Sequence, residues 1–317
     1  MVNAKKLNSY GALLNHLIIF QTQTGLKHDR LTFNMKPYFI YVLTLLCFQI
    51  IFPQTNQNER IVTIGGSVTD VVFALGVGDL VVAVDQSSTL PKIVKKLPQA
   101  GYVRAISAEG ILSMNPTVVL SSSDIGPPNV VKQLEKSGVT FKIFNSPTSF
   151  NDIIDLIDEV SIFLDLQGKA KKVKEQILLD YKIIENNIKK LKKDSLSIAF
   201  FMNPSATANL NAAGEGTRAN YLIEFIGGKN IFKHDFKRYN KINKETLISK
   251  DPDIIFVAST NSKDQSISIF KDDQTLKNIT AVKTDKVIYL DLGYHLTFGS
   301  KFTEASLLAL NLMLEND

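Results

Sequence analysis

The feature that most constrains this chain is an internal repeat. Ala108-Glu109-Gly-Ile-Leu-Ser-Met-Asn-Pro116-Thr-Val-Val-Leu120 aligns without gaps on Lys244-Glu245-Thr-Leu-Ile-Ser-Lys-Asp-Pro252-Asp-Ile-Ile-Phe256. Glu, two aliphatics, Ser, Asn or Asp, Pro and three apolar residues recur at the same offsets. A weaker pair lies in the same order: Gly66-Ser67 with Gly78 eleven residues after the Ser, and Gly216-Thr217 with Gly228 eleven after the Thr. Repeats in matching order point to a duplicated lobe with a helix, a turn and a strand in each copy.

Short β-branched runs alternate with helical patterns around these repeats, the signature of α/β layers. Strands are expected at 60–64, 80–84, 118–120 and 141–144 in the first half, and at 198–201, 254–257 and 287–290 in the second. Gly65-Gly66 reads as a turn, with Ser67 expected to cap a helix over 68–75. Between the halves, Val173, Ile177, Tyr181, Ile184, Ile188 and Leu191 form a helical stripe within 169–193. Twenty-five residues at 1.5 Å each span about 37 Å, longer than one lobe needs and suited to a strut joining two. Nine Lys cover the rest of that helix, which reads as a solvated face. The expected organisation is a first lobe over 59–167, a connecting helix over 168–193 and a second lobe over 194–317.

The N-terminus reads as an address. Met35-Lys36 precedes a run from Tyr38 to Phe52 that carries no charge. Fifteen uncharged, mostly apolar residues suit a signal peptide better than a membrane span. The signal is therefore expected over 35–54, with cleavage near 52–56, and residues 1–34 as a non-structural extension preceding the second Met. The alternatives are an uncleaved anchor, or a lipoprotein modified at Cys47. Residues 1–54 also hold five of the 36 Lys+Arg and one of the 31 acids. The remainder is close to neutral, which removes the electrostatic case for nucleic acid. With a single Cys in the chain, no intramolecular disulfide forms and thiolate zinc sites are excluded.

Two α/β lobes, a long connecting helix and an export signal resemble the substrate-binding proteins of ABC importers whose lobes share a rigid helix. The segments RIVTIGGSVTDVVFALGVGDLVVAVD, LPQAGYVRAISAEGILSMNPTVVLSSSDIGPP and AAGEGTRANYLIEFIGGKNIF are similar to the periplasmic hemin-binding proteins of bacterial haem importers. The GYVR…SAEG stretch followed by GPP is the most specific part, and the likeness runs through most of 59–310.

Haem is a flat apolar disc with iron at its centre and two propionates at one edge. A site for it needs a metal ligand, an apolar wall and a cation. Tyr102 and Arg104 offer a phenol and a guanidinium two residues apart. Phenolate is a haem ligand type, and ferric iron with a nearby guanidinium favours loss of its proton. By themselves these residues also fit an ordinary surface loop. The resemblance implies Tyr102 as axial ligand and Arg104 as propionate contact. It implies further contacts at the cleft edge from Gly66, Ser67, Ser123 and Gly126. From the second lobe it implies Gly216, Thr217 and Lys301, although Thr217 also reads as a plain helix cap.

Some members of that family bring a His to the other iron face at the start of the second lobe. Phe200-Phe201-Met202-Asn203-Pro204 has none, so five-coordinate iron is the expectation. His295 is the candidate second metal ligand, followed by Met202 and Tyr294. Glu109 and Glu245 each begin the short helix of their repeat, where the helix dipole favours a carboxylate. The resemblance implies that they dock on a dimeric permease served by an ATPase, and that the receptor is an exported, periplasmic monomer. Two rivals stay open. One is a corrinoid or ferric-siderophore receptor on the same fold. The other is a metal-dependent hydrolase, for which two His residues beyond the signal region are a poor supply.

Overall fold

Strand β1 (Ile61–Ile64) is buried at every position, as a strand covered on both faces has to be. The computed structural model describes residues 59–191, 196–205 and 210–315. The N-terminal extension, the apolar run and Cys47 lie outside the described residues. Helix α1 (Gly66–Ala74) follows, then β2 (Val81–Val84) and a small hairpin of β3 (Gly101–Tyr102) and β4 (Ala105–Ile106). Next come α2 (Ala108–Leu112), β5 (Val118–Ser122), α3 (Pro128–Glu135), β6 (Thr140–Phe144) and α4 (Phe150–Phe163). The order β2-β1-β5-β6 gives a four-stranded parallel sheet.

Helix α5 (Gln167–Ile188) leaves this lobe. It begins two residues before the expected strut and stops at a cap on Lys189. The expected stripe is its inner face: Ile177 and Ile184 are buried, and Val173, Ile188 and Leu191 pack against the same core. The second lobe contains β7 (Ser197–Met202), β8 (Leu210–Ala213), α6 (Arg218–Phe225), β9 (Lys229–Asn230) and β10 (Tyr239–Ile242). It continues with α7 (Lys244–Lys250), β11 (Ile254–Ser259), α8 (Lys263–Lys271), α9 (Thr280–Lys283), β12 (Val287–Asp291), α10 (Leu292–Leu296) and α11 (Phe302–Leu314). Its sheet runs β10-β8-β7-β11-β12, with β9 also paired to β7.

The two repeated segments fold alike. Ser107 and Asn243 cap α2 and α7 by accepting the N–H groups of Gly110 and Thr246. Asn115 and Asp251 then turn with φ of 49° and 39°, and Pro116 and Pro252 lead into β5 and β11. Each of these strands pairs in parallel with its lobe's first strand, Ile61 opposite Val118 and Ile198 opposite Ile254. What has no counterpart in the first lobe is the antiparallel pair β8 and β10.

Side chains alternate across each sheet, and the alternation joins the lobes. Ile61 faces one apolar cluster while Val62 and Ile64 face another. Ile198, Phe200, Ile254 and Phe256 face the same cluster as Ile61, whereas Ala199, Phe201, Ile255 and Val257 face a third. One continuous core therefore runs between the two sheets. Its centre is aromatic: Phe150 stacks on Tyr181 at 4.8 Å, and Phe225 meets Phe302 at 4.9 Å. Across this seam the Phe150 N–H donates to the Tyr221 hydroxyl at 2.8 Å. A second crossing is polar, where the Ser300 N–H donates to the buried Asp70 carboxylate of α1.

Candidate functional site

The β3–β4 hairpin turns through Val103 and Arg104. Val103 is buried and anchors the tip. The loop after β5 grips it from the side, because the Gly126 N–H donates to the Val103 carbonyl at 2.9 Å and the Gly126 carbonyl accepts from the Ile106 N–H at 3.1 Å. A side chain at Gly126 would sit 3.3 Å from the Arg104 carbonyl, a tight contact. The consequence is that Tyr102 and Arg104 stand on the rim, Tyr102 with 47% of its surface exposed. Among the described residues the Tyr102 hydroxyl has no hydrogen bond.

Arg104 forms an ion pair with Asp124 at 3.2 Å. The other Asp124 oxygen accepts from the Ser146 hydroxyl at 2.8 Å, and the Ser123 and Ser146 hydroxyls meet at 3.2 Å. The hairpin and the β5 loop thus place Tyr102, Arg104, Ser123, Asp124 and Gly126 on two interlocked segments, and Asp124 is the one among them that sequence reasoning did not name. Gly66 and Ser67 are different. Gly65, with φ 96°, holds the cap position of α1, so the helix starts at Gly66 and buries Ser67 inside its first turn. The expected Ser67 cap is therefore absent. A Cβ on Gly66 would lie 2.9 Å from the Ser87 carbonyl and 3.7 Å from the Thr297 methyl of the second lobe. These two residues sit in the seam between the lobes.

In the second lobe, β8 runs into Gly214-Glu215-Gly216 and then α6. Thr217 is the cap that the plainer reading expected, accepting the Asn220 N–H at 3.0 Å and donating to the Gly214 carbonyl at 2.8 Å. This cap presents Arg218, which sequence reasoning passed over. Its guanidinium donates to the Leu296 carbonyl at 3.2 Å and lies 5.4 Å from the Phe298 ring. Burial pushes Arg218 below the usual arginine range, and it feels the charges of Asp124 and Arg104 from the opposite lobe as well as Tyr239. Burial in turn pushes the Tyr239 phenol up to about 12.

The remaining candidates lie elsewhere. His295 is buried on α10, with Nδ1 3.0 Å from the Asp291 carbonyl oxygen and Nε2 unpartnered among the described residues. Burial lowers its basicity. Lys301 is held by Glu304 at 2.7 Å, and Glu304 also accepts from the Tyr294 hydroxyl at 2.7 Å. Met202 is half-buried at the end of β7. Glu109 and Glu245 are both exposed on the first turns of α2 and α7. A surface hollow of about 660 Å³ adjoins Glu109, lined by Ile106, Leu112, Pro127, Val130 and Gln133. Among the described residues no three His, Cys, Asp or Glu side chains gather to hold a metal ion, and no helix is long and apolar enough to cross a membrane.

This geometry has close structural relatives. The apo periplasmic heme-binding protein RhuT from Roseiflexus sp. RS-1 superposes with a TM-score of 0.74 at 27% identity, over 81% of this chain and 98% of that one. The periplasmic heme-binding protein BhuT in complex with two hemes gives 0.73 at 25% identity, with the same coverage. By sequence, the chain is 28% identical over 202 residues to YvrC of Bacillus subtilis (strain 168), an uncharacterised ABC transporter substrate-binding lipoprotein. That match spans 63% of this chain and 63% of the Bacillus protein. A vitamin B12-binding protein of Yersinia pestis (strain Pestoides F) is 23% identical over 241 residues, 76% of this chain and 84% of that one. The family model for periplasmic binding proteins matches residues 61–292. With its two α/β lobes and shared core, the chain belongs to the periplasmic binding protein family.

Proposed function

We propose that this protein is the haem receptor of an ABC importer. The observation that carries the reading is the rim itself: an exposed phenol and a guanidinium on one hairpin, held by the loop after β5. In this reading Tyr102 ligates ferric iron and Arg104 contacts a propionate. Ser123 and Gly126 border the ligand, and the Gly216-Thr217 turn meets it from the second lobe. The iron keeps one protein ligand, because His295 is buried within its own lobe and the Tyr294 hydroxyl is engaged by Glu304. Haem is cargo and no reaction is catalysed. The likeness to heme-binding structures over 81% of the chain supports the choice of ligand.

The rest of the reading concerns delivery. The chain is exported by the segment over 35–54 and acts in the periplasm as a monomer. Glu109 and Glu245, one per lobe, engage the equivalent pockets of a permease dimer driven by its ATPase, since a two-fold partner offers the same pocket twice. The second reading is a corrinoid receptor, favoured by the likeness to a vitamin B12-binding protein. Titrating hemin into purified residues 56–317 separates them. Wild type is expected to give a phenolate-type ferric spectrum that Tyr102→Ala abolishes. A spectrum that survives the substitution removes Tyr102 from the site, and saturable cyanocobalamin uptake without hemin uptake supports the corrinoid receptor.

A further inference from the structure

We propose that Asp70 is a latch between the two lobes: its carboxylate, carried by α1, fixes the turn that starts α11 and so limits how far the lobes part when ligand leaves. The inference goes beyond the haem reading and holds for whatever ligand the cleft takes. Asp70 is 3% exposed. It accepts the N–H of Ser300, which follows it by 230 positions in the chain. Burial pushes its carboxyl up from the usual carboxylate range, and hydrogen bonds from Ser300 and from the Lys301 backbone pull the other way. The Lys301 charge also acts on it, although that ammonium is engaged by Glu304 at 2.7 Å. Helix α11 has Lys301 at its cap position and no side-chain cap of its own. The first lobe therefore supplies the anion that the start of this helix favours.

The turn between α10 and α11 is shaped to this contact. A Cβ on Gly299 would lie 2.3 Å from Asp70 Oδ2 and 3.1 Å from Asp70 Cβ. Gly299 has no left-handed φ, so the carboxylate, not the backbone, is what excludes a side chain there. Beside it Phe298 takes φ 54°, a value that a bulky residue rarely holds without outside support. Its ring packs on Phe302 at 4.4 Å and on Tyr221 at 5.7 Å. Second-lobe aromatics thus hold the turn from one side, and a first-lobe carboxylate holds it from the other. Apolar contacts across the seam tolerate sliding, because they are non-directional. A buried hydrogen bond to a carboxylate does not, since losing it leaves desolvated polar groups without partners. Asp70 therefore favours one orientation of the lobes over its neighbours.

The test places spin labels at Lys136→Cys and Lys263→Cys, exposed positions of the two lobes, in residues 56–317, which contain no other Cys. Pulsed dipolar distances are read without ligand in this parent and in Asp70→Asn, Gly299→Ala and Val130→Ala. The parent is expected to give one narrow distribution. Asp70→Asn keeps the shape but loses the charge and one acceptor, and Gly299→Ala keeps the carboxylate but wedges it. Both should broaden and shift the distribution. Val130→Ala alters the first-lobe cluster that the second lobe does not share, and is expected to lower stability with the distances unchanged. Hemin release to excess apomyoglobin should quicken about tenfold or more in Asp70→Asn, as loss of one charge-assisted hydrogen bond would make it. Unchanged distances in Asp70→Asn and Gly299→Ala, equal broadening in Val130→Ala, or unaltered release from Asp70→Asn overturns the latch and leaves the haem reading standing. Absence of hemin uptake by the parent overturns the haem reading, and the distances then decide the latch by themselves.

Discussion

Gly65 and Gly126 are places where the lack of a side chain decides geometry. At Gly65 a φ of 96° and the neighbouring Ser122 hydroxyl leave room for hydrogen only, and this glycine starts α1 two residues earlier than a Ser67 cap would. At Gly126 a Cβ would press on the Arg104 carbonyl of the rim hairpin at 3.3 Å. A different residue-scale effect concerns Asp273. The Lys244 ammonium and the Thr275 groups hold its carboxyl at about 2, below an unfolded value of about 3.9. A depressed folded value means that the stabilisation is complete above the unfolded value and is lost as pH falls towards 2. Lys244→Met is therefore expected to lower the urea midpoint at pH 6 and to have a much smaller effect near pH 2, where the carboxyl is about half protonated. A difference of undiminished size at pH 2 would assign the effect to packing.

At the scale of elements, α2 and α7 are the informative pair. Both are short, both are capped by a side chain from the preceding residue, and both carry an exposed Glu at the second position. A carboxylate there stabilises the helix by only about 0.3–1 kcal/mol, so stability alone gives little reason for its double occurrence. Glu109→Lys and Glu245→Lys are each expected to weaken docking on the reconstituted permease about tenfold or more. Hemin affinity should stay unchanged, because neither residue lies at the Tyr102 rim. Unaltered docking in the double variant would reduce both residues to helix stabilisers. The core helices make a second prediction. Phe302, 1% exposed, contacts Phe225 and Phe298, and Phe302→Ala is expected to cost about 3–5 kcal/mol in urea unfolding.

For the whole molecule, the continuous core is the governing feature. Alternate residues of both sheets share one apolar cluster with α5 and α11, and aromatic side chains from both lobes meet in its middle. Lobes joined by a linker alone would unfold separately. Here a single calorimetric transition is expected, coincident with loss of secondary structure. Two resolved transitions would show that the lobes are energetically independent. The same core favours small motion on ligand uptake, so scattering profiles of the ligand-free and hemin-bound protein should nearly superimpose.

The repeat, the alternating strands and the stripe of α5 were legible in the sequence because each is a local pattern with its own period. Tyr102 and Arg104 were singled out through the resemblance, and the fold places both on one short hairpin. Asp124 and Arg218 were not, since nothing local marks the pairing of Asp124 with Arg104 or the packing of Arg218 on Phe298. Polar Tyr-Asn-Lys-Ile of β10 has no alternation to announce a strand, and its pairing with β8 comes from the sheet it joins. His295 looked available until α10 buried it, and Lys301 looked free until the next turn supplied Glu304. Local sequence determined which elements form, because backbone propensity and apolar spacing act within a few residues. The tertiary structure decided which charges face each other, because that depends on how separately folded elements share one core.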